Sequence, residues 1–113
     1  VYDLRIEAVH ALVEDGARAC ASESECSANV ALLITSLPRP DHVEEVMGGD
    51  GGGLQVMQPG SVWVDMTTNQ LELIRALAKE APPDVHVVDS PGHSPALASR
   101  LEATRFLLQS CTA

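Results

Sequence analysis

Residues 30–35 run Val-Ala-Leu-Leu-Ile-Thr with no polar alternation. An unbroken apolar run of that length fits a strand covered on both faces, as in a parallel sheet, whereas a half-solvated strand would alternate. Two shorter stretches, 61–65 and 85–88, have the same character, and the second ends at Asp89. Elsewhere the apolar spacing lengthens to three and four residues. Ile6, Val9 and Val13 share one face, with Leu12 and Ala8 beside it, which predicts a helix over 5–15 closed by Gly16.

A strand over 17–21 follows, and Ser22 and Glu25 stand at capping-box spacing for a short helix reaching Asn29. Pro40 fits the first turn of a helix carrying Val43, Val46 and Met47. The glycines from Gly48 to Gly53 read as a flexible connection into 54–57. Thr67 and Gln70 again have capping-box spacing, ahead of a stripe of Leu71, Ile74, Leu77 or Ala78, and Ala81 that Pro82-Pro83 ends. A last helix is expected to open at Ser94-Pro95, with Leu97, Leu101, Thr104 and Leu108 on one face. Strand and helix alternate throughout, with short connections. The fold class expected is α/β: a Rossmann-like parallel sheet with helices on both faces.

Composition narrows the function. Hydrophobic residues make up 45% of the 113 and aromatics 3%, so the core must be built mostly of aliphatic side chains. Sixteen acidic against seven basic residues give a formal charge of −9, which repels a polyanion and argues against nucleic-acid binding through phosphates. No apolar run reaches the ~18 residues of a membrane span. Cys20, Cys26 and Cys111 match no zinc spacing, and no metal site is expected. An odd cysteine count without a secretory signal points to reduced thiols inside the cell, in cytoplasm or mitochondrion, with any transit segment lying ahead of Val1.

In an open parallel sheet, ligands bind beyond the carboxyl ends of the strands. Taken in order those ends are Asp3, Ser36-Leu37-Pro38, Asp65-Met66-Thr67-Thr68 and Asp89-Ser90-Pro91. Asp3 reads either as a cap for the first helix or as an acid that accepts hydrogen bonds from an adenosine ribose and repels a 2′-phosphate. Arg5, close by, is the residue that could reverse that preference. Leu37-Pro38 ends a strand; Thr67 and Thr68 serve equally as helix caps. His42 reads as a surface histidine on a first turn, Trp63 as core, and Asp89 as a cap for the next turn before a general base.

The order of segments carries more than any one of them. Val1-Tyr2-Asp3, Glu7-Ala8-Val9, Asp15-Gly16-Ala17, Leu33-Ile34-Thr35-Ser36-Leu37-Pro38, Pro59-Gly60, Val64-Asp65-Met66-Thr67-Thr68 and Val88-Asp89-Ser90-Pro91 fall in a sequence that resembles the β-hydroxyacid dehydrogenase family, the 3-hydroxyisobutyrate dehydrogenase-like proteins above all. The resemblance covers residues 1–91 and implies a partial dinucleotide-binding domain; residues 92–113 form a divergent segment expected to be helical.

What the resemblance implies is carried over position by position. Asp3 corresponds to the acid holding the adenosine ribose, Leu37 and Pro38 to the loop that packs along the dinucleotide, and Thr68 to a hydroxyl near the nicotinamide. His42 stands where relatives place an asparagine near the cofactor. NAD is the expected cofactor, in preference to NADP. The family pattern opens with a strand and a G-x-G-x-x-G turn about twenty residues before the acid, and nothing precedes Val1, so the first strand and glycine-rich turn are expected to be missing from this chain. Asp89-Ser90-Pro91 leads into Gly92-His93-Ser94 instead of the family's substrate loop, and Lys79, the only lysine, lies outside the element that carries the catalytic one. No catalytic residue is therefore assigned. The expected function is the dinucleotide-binding part of an oxidoreductase acting on a small β-hydroxyacid, inactive alone, with the hydroxyacid a partner only of a complete parent. A non-catalytic Rossmann-like interaction module is the alternative. With the central strand missing, an exposed strand edge would favour self-association.

Overall fold

The computed structural model describes residues 1–68 and 70–90. The last expected helix, His93, Cys111 and the segment 92–113 lie outside the described residues.

Three short strands, β1 (Leu32–Thr35), β2 (Val62–Asp65) and β3 (His86–Asp89), form a parallel sheet in the order β1-β2-β3. Their register is unshifted: Leu33 pairs with Trp63 and Trp63 with Val87, while Thr35, Asp65 and Asp89 line up at the carboxyl end. Helices α3 (Pro40–Met47) and α4 (Gly53–Val56) connect β1 to β2, and α5 (Leu71–Glu80) connects β2 to β3. This is the strand-helix alternation that the apolar pattern predicts, and its parallel pairing requires such crossovers.

The strands alternate in burial more than the unbroken apolar runs suggest. Leu33 and Trp63 point to the face covered by α3, α4 and α5, where they join Val43, Met47, Leu54, Met57, Ile74 and Leu77. Trp63 is fully buried, as expected of it. Leu32, Ile34, Val62 and Val64 on the opposite face are only half-buried among the described residues, and Val88 is 44% exposed. The expectation of strands closed on both faces is thus met on one face.

Ahead of the sheet, α1 (Ile6–Glu14) matches its expected span to within a residue. Gly16 and Ala17 donate to Val13 and Leu12 carbonyls at 3.0 Å, and Gly16 has φ +101°. That pair of bonds is the closing motif in which a left-handed residue, cheap only for glycine, satisfies the last carbonyls of a helix. The apolar stripe of α1 buries only Val9; Ile6 is 64% exposed and Val13 42%. Helix α2 (Glu23–Ala28) starts as its sequence dictates, with Ser22 Oγ accepting from Glu25 N at 3.1 Å and Glu25 Oε2 accepting from Ala21 N at 2.7 Å.

Two expectations need correction. Residues 1–3 and 17–21 form no strand; what joins them is a single rung, with Val1 N donating to Arg18 O at 2.6 Å and Cys20 N to Val1 O at 2.8 Å. A rung of that pattern is the start of a parallel ladder, but it continues no further without a neighbour to hold it. The glycine cluster, second, is not merely flexible. Gly52 and Gly53 are buried, and a Cβ on Gly52 would fall 2.2 Å from Gly48 O. The chain turns there so tightly that only glycine fits.

β1 therefore ends the sheet among the described residues, with one row of backbone groups unpaired and an apolar face half open. Burying one large aliphatic side chain stabilises by roughly 1.5–3 kcal/mol, and an entire domain retains only about 5–15 kcal/mol. We expect the isolated 113-residue chain to be marginal, with helical circular dichroism, no sharp melt, and self-association that grows with concentration. A cooperative transition above about 50 °C, ordinary for a mesophilic domain, in a species that sediments as a monomer would contradict this.

Candidate dinucleotide-binding edge

The parallel register brings the carboxyl ends of all three strands into one line. Met66 N continues the ladder to Thr35 O, and Ser90 N to Asp65 O, each at 2.8 Å, so the chain leaves β2 and β3 in a common direction. Just beyond that line sit the loops that sequence reasoning marks for ligand contact.

One buried carboxylate organises the line. Asp65 is fully buried, and its Oδ1 accepts from Thr35 Oγ1 at 2.7 Å, Thr67 Oγ1 at 2.8 Å and Thr67 N at 3.2 Å. Since both hydroxyl protons go to the carboxylate, each hydroxyl oxygen turns its lone pairs outward. Thr35 Oγ1 receives the Trp63 indole N–H at 2.9 Å, and Thr67 Oγ1 receives the backbone N–H of Leu37, also at 2.9 Å. A buried acid satisfied in this way is tolerable; stripped of its donors it would cost several times what any one bond contributes.

Thr67 consequently does not cap α5. Gln70 occupies the N-cap position without a side-chain bond, and Thr67 is turned inward and almost wholly buried. Thr68, its neighbour, is exposed on the outside of the same turn. Spacing alone cannot separate the two threonines. The Asp-x-Thr pattern at a strand end was the available signal for this network, and the capping-box reading obscured it.

Leu37 is half-buried and packs against the core, while Pro38 is exposed beside it. His42, on the first turn of α3, is half-buried and not the surface histidine its position suggests. Its Nε2 lies 3.3 Å from a guanidinium nitrogen of Arg39. A guanidinium can only donate, so Nε2 accepts and the proton of the neutral ring sits on Nδ1. That atom is buried with no hydrogen-bond partner. Arg39 also forks onto Asp41 at 3.1 and 2.9 Å. Desolvation opposes ionisation of Asp41, but the hydrogen bonds and charge of Arg39 outweigh it and hold the carboxyl below its usual range.

Asp3 follows the N-terminal rung by two residues. It is exposed, its Oδ1 accepts from Arg5 N at 2.7 Å, and Arg5 Nε approaches to 3.7 Å. The carboxylate therefore braces the entry to α1 from two residues before the N-cap. Asp89 is exposed on the last strand. Cys20 and Cys26 are free and half-buried, and burial, then the neighbouring Cys20 thiol, pushes the Cys26 thiol up. Among the described residues no cluster of three metal-ligating side chains occurs, and no helix is long and apolar enough to cross a membrane. An open cleft of about 420 Å³ lies between Asn29–Ala31 and Gln58–Ser61. It sits at the amino ends of β1 and β2, the wrong end of a parallel sheet for this kind of ligand.

The parallel sheet with its crossover helices defines a Rossmann-like α/β unit. The family model described as the NAD binding domain of 6-phosphogluconate dehydrogenase matches residues 1–101, and the chain belongs to that family. Among its relatives, 2-(hydroxymethyl)glutarate dehydrogenase of Eubacterium barkeri is 36% identical over 91 residues, covering 80% of this chain and 30% of its own length. The 3-hydroxyisobutyrate dehydrogenase of Pseudomonas aeruginosa is 35% identical over 81 residues, covering 72% of this chain and 27% of its own. The chain thus spans under a third of the length of these relatives. A solved oxidoreductase from Mycobacterium avium 104 superposes with a TM-score of 0.72 at 25% identity, over 93% of this chain and 43% of that one.

Thr35→Val removes the acceptor of the Trp63 indole and one donor to Asp65 while preserving shape. With both proteins held in a stabilising osmolyte, it should move the urea-induced change of Trp63 fluorescence to lower denaturant. Thr35→Ser should stay close to the parent.

Proposed function

We propose that this chain supplies the adenosine-side and loop contacts of a nicotinamide-dinucleotide site, in a dehydrogenase acting on a small β-hydroxyacid. The observation that carries this reading is the aligned carboxyl edge, where a buried network holds Leu37 in place and leaves Pro38 and Thr68 exposed, in a chain of the NAD-binding family. The residues fit such a ligand. Pro38 and Leu37 offer an apolar edge, Thr68 an exposed hydroxyl, and His42 stands one turn further on at the start of α3. Asp3 offers a carboxylate whose lone pairs suit the vicinal hydroxyls of a ribose.

NAD is the cofactor this arrangement favours. A 2′-phosphate would meet the Asp3 carboxylate with like charge, and Arg5, 3.7 Å away, is already engaged with that carboxylate. When bound, the nicotinamide supplies hydride acceptance at its ring carbon; the residues named here bind and orient. Turnover of a hydroxyacid also requires a proton-transfer group, and the residues named here are assigned binding roles alone. The substrates in the names of the relatives, 3-hydroxyisobutyrate and 2-(hydroxymethyl)glutarate, support the reading of a short acid with a hydroxyl one carbon removed from the carboxyl-bearing carbon.

Titration with NADH and NADPH, followed by nicotinamide fluorescence, tests the assignment of Asp3. NADH should bind more tightly, and Asp3→Asn should narrow the gap by weakening NADH and sparing NADPH. Tighter binding of NADPH by the unmodified chain would remove Asp3 from the site. In the same preparation, hydroxyacid-dependent reduction of NAD should be undetectable; reproducible reduction lost on Thr68→Ala would show that the chain carries catalytic groups of its own.

A further inference from the structure

Of all the groups near the carboxyl edge, Asp65 and Thr67 are the most deeply buried polar side chains, and neither reaches the exposed surface where a ligand would lie. They nonetheless control it. The Leu37 N–H is held by Thr67 Oγ1 at 2.9 Å, thirty residues away in sequence, and donation of the Thr67 proton to Asp65 Oδ1 at 2.8 Å orients the hydroxyl so that a lone pair faces that amide. The same oxygen of Asp65 fixes Thr35, and Thr35 fixes the Trp63 indole. A single carboxylate therefore sets the hydrogen-bond direction of two arms, one anchored in the core at Trp63 and the other ending on the loop after β1.

We propose that Asp65 and Thr67 are positioning residues: the carboxylate, acting through the Thr67 hydroxyl, holds the Leu37–Pro38 loop at the height at which it receives the dinucleotide. The inference rests on the dinucleotide reading given above and assigns its precision to two residues that do not touch the ligand. The direction of the bonds is the essential point. A carboxylate accepts only, and both hydroxyls must donate to it. An asparagine at position 65 carries donor and acceptor together, so it permits either hydroxyl to reverse and to withdraw its lone pair from Leu37 or Trp63.

The test uses the 113-residue chain, nitrogen-15 labelled, in buffer with a stabilising osmolyte. Two signals report the network without any ligand: the Leu37 backbone amide and the indole N–H of Trp63, the only tryptophan in the chain. Thr67→Val should leave the indole signal dispersed, speed hydrogen exchange of Leu37, and weaken NADH binding, each by about tenfold, the scale of one lost hydrogen bond to a buried donor. Thr67→Ser, which restores the hydroxyl, should rescue both. Asp65→Asn should disturb Leu37 and the indole together, since both arms meet at that carboxylate. If Thr67→Val does not fold, Asp65→Asn compared with Thr67→Ser decides the matter by the same two signals. Unchanged Leu37 exchange in a folded Thr67→Val or Asp65→Asn protein overturns the positioning role, as does weakened NADH binding that Thr67→Ser fails to rescue. Absence of NADH binding to the unmodified chain would instead sink the dinucleotide reading, and the ligand-free signals would still decide whether Asp65 sets the loop.

Discussion

A carboxylate removed from water must be surrounded by donors or it unfolds what surrounds it. Asp65 meets that condition inside the sheet, at the point where β1 ends, β2 ends and α5 is about to begin. Thr35, Thr67 and, through them, Trp63 and Leu37 are placed by its demand for hydrogen bonds. The largest side chain of the core and the loop at the carboxyl edge of the sheet thus share one electrostatic constraint. In low dielectric such a network is stiff when complete and costly when broken.

Much of this fold could be read from the sequence because parallel β-α-β architecture writes itself in unbroken apolar strands and amphipathic helices. The three strands of the sheet, Pro40 at the start of α3, the Ser22–Glu25 cap of α2 and the stop at Gly16 all follow from local chemistry that acts within a few residues. The failures are non-local. Whether residues 1–3 and 17–21 become strands depends on a neighbour, and one rung cannot extend itself. Thr67 and Gln70 have the spacing of a cap, but the Thr67 side chain is turned inward, its proton given to Asp65 and its oxygen accepting from the Leu37 amide.

The candidate site divides along the same line. Strand ends are local features, so Leu37, Pro38 and Thr68 are placed at the edge by sequence alone, and the structure puts them there. The half-buried state of His42 and the inward turn of Thr67 depend on what packs around them, which no spacing rule encodes. Asp3 follows the N-terminal rung, and its carboxylate serves the backbone at Arg5. Both readings of that residue, helix brace and ribose acceptor, use the same lone pairs, and a carboxylate has enough of them for both.

The turn between α3 and α4 has a consequence for how this chain can vary. Five glycines in six residues look, in composition, like a tether of adjustable length. Yet Gly52 lies so close to the Gly48 and Met47 carbonyls, and Gly53 so close to Met47 Sδ and Ser27 Oγ, that the segment behaves as a clasp between two helices and the start of a third. A tether accepts insertions, side chains and even a new pair of termini; a clasp accepts none of these. Length changes in descendants of this sequence would have to fall elsewhere, at exposed turns whose backbone is not held by the core.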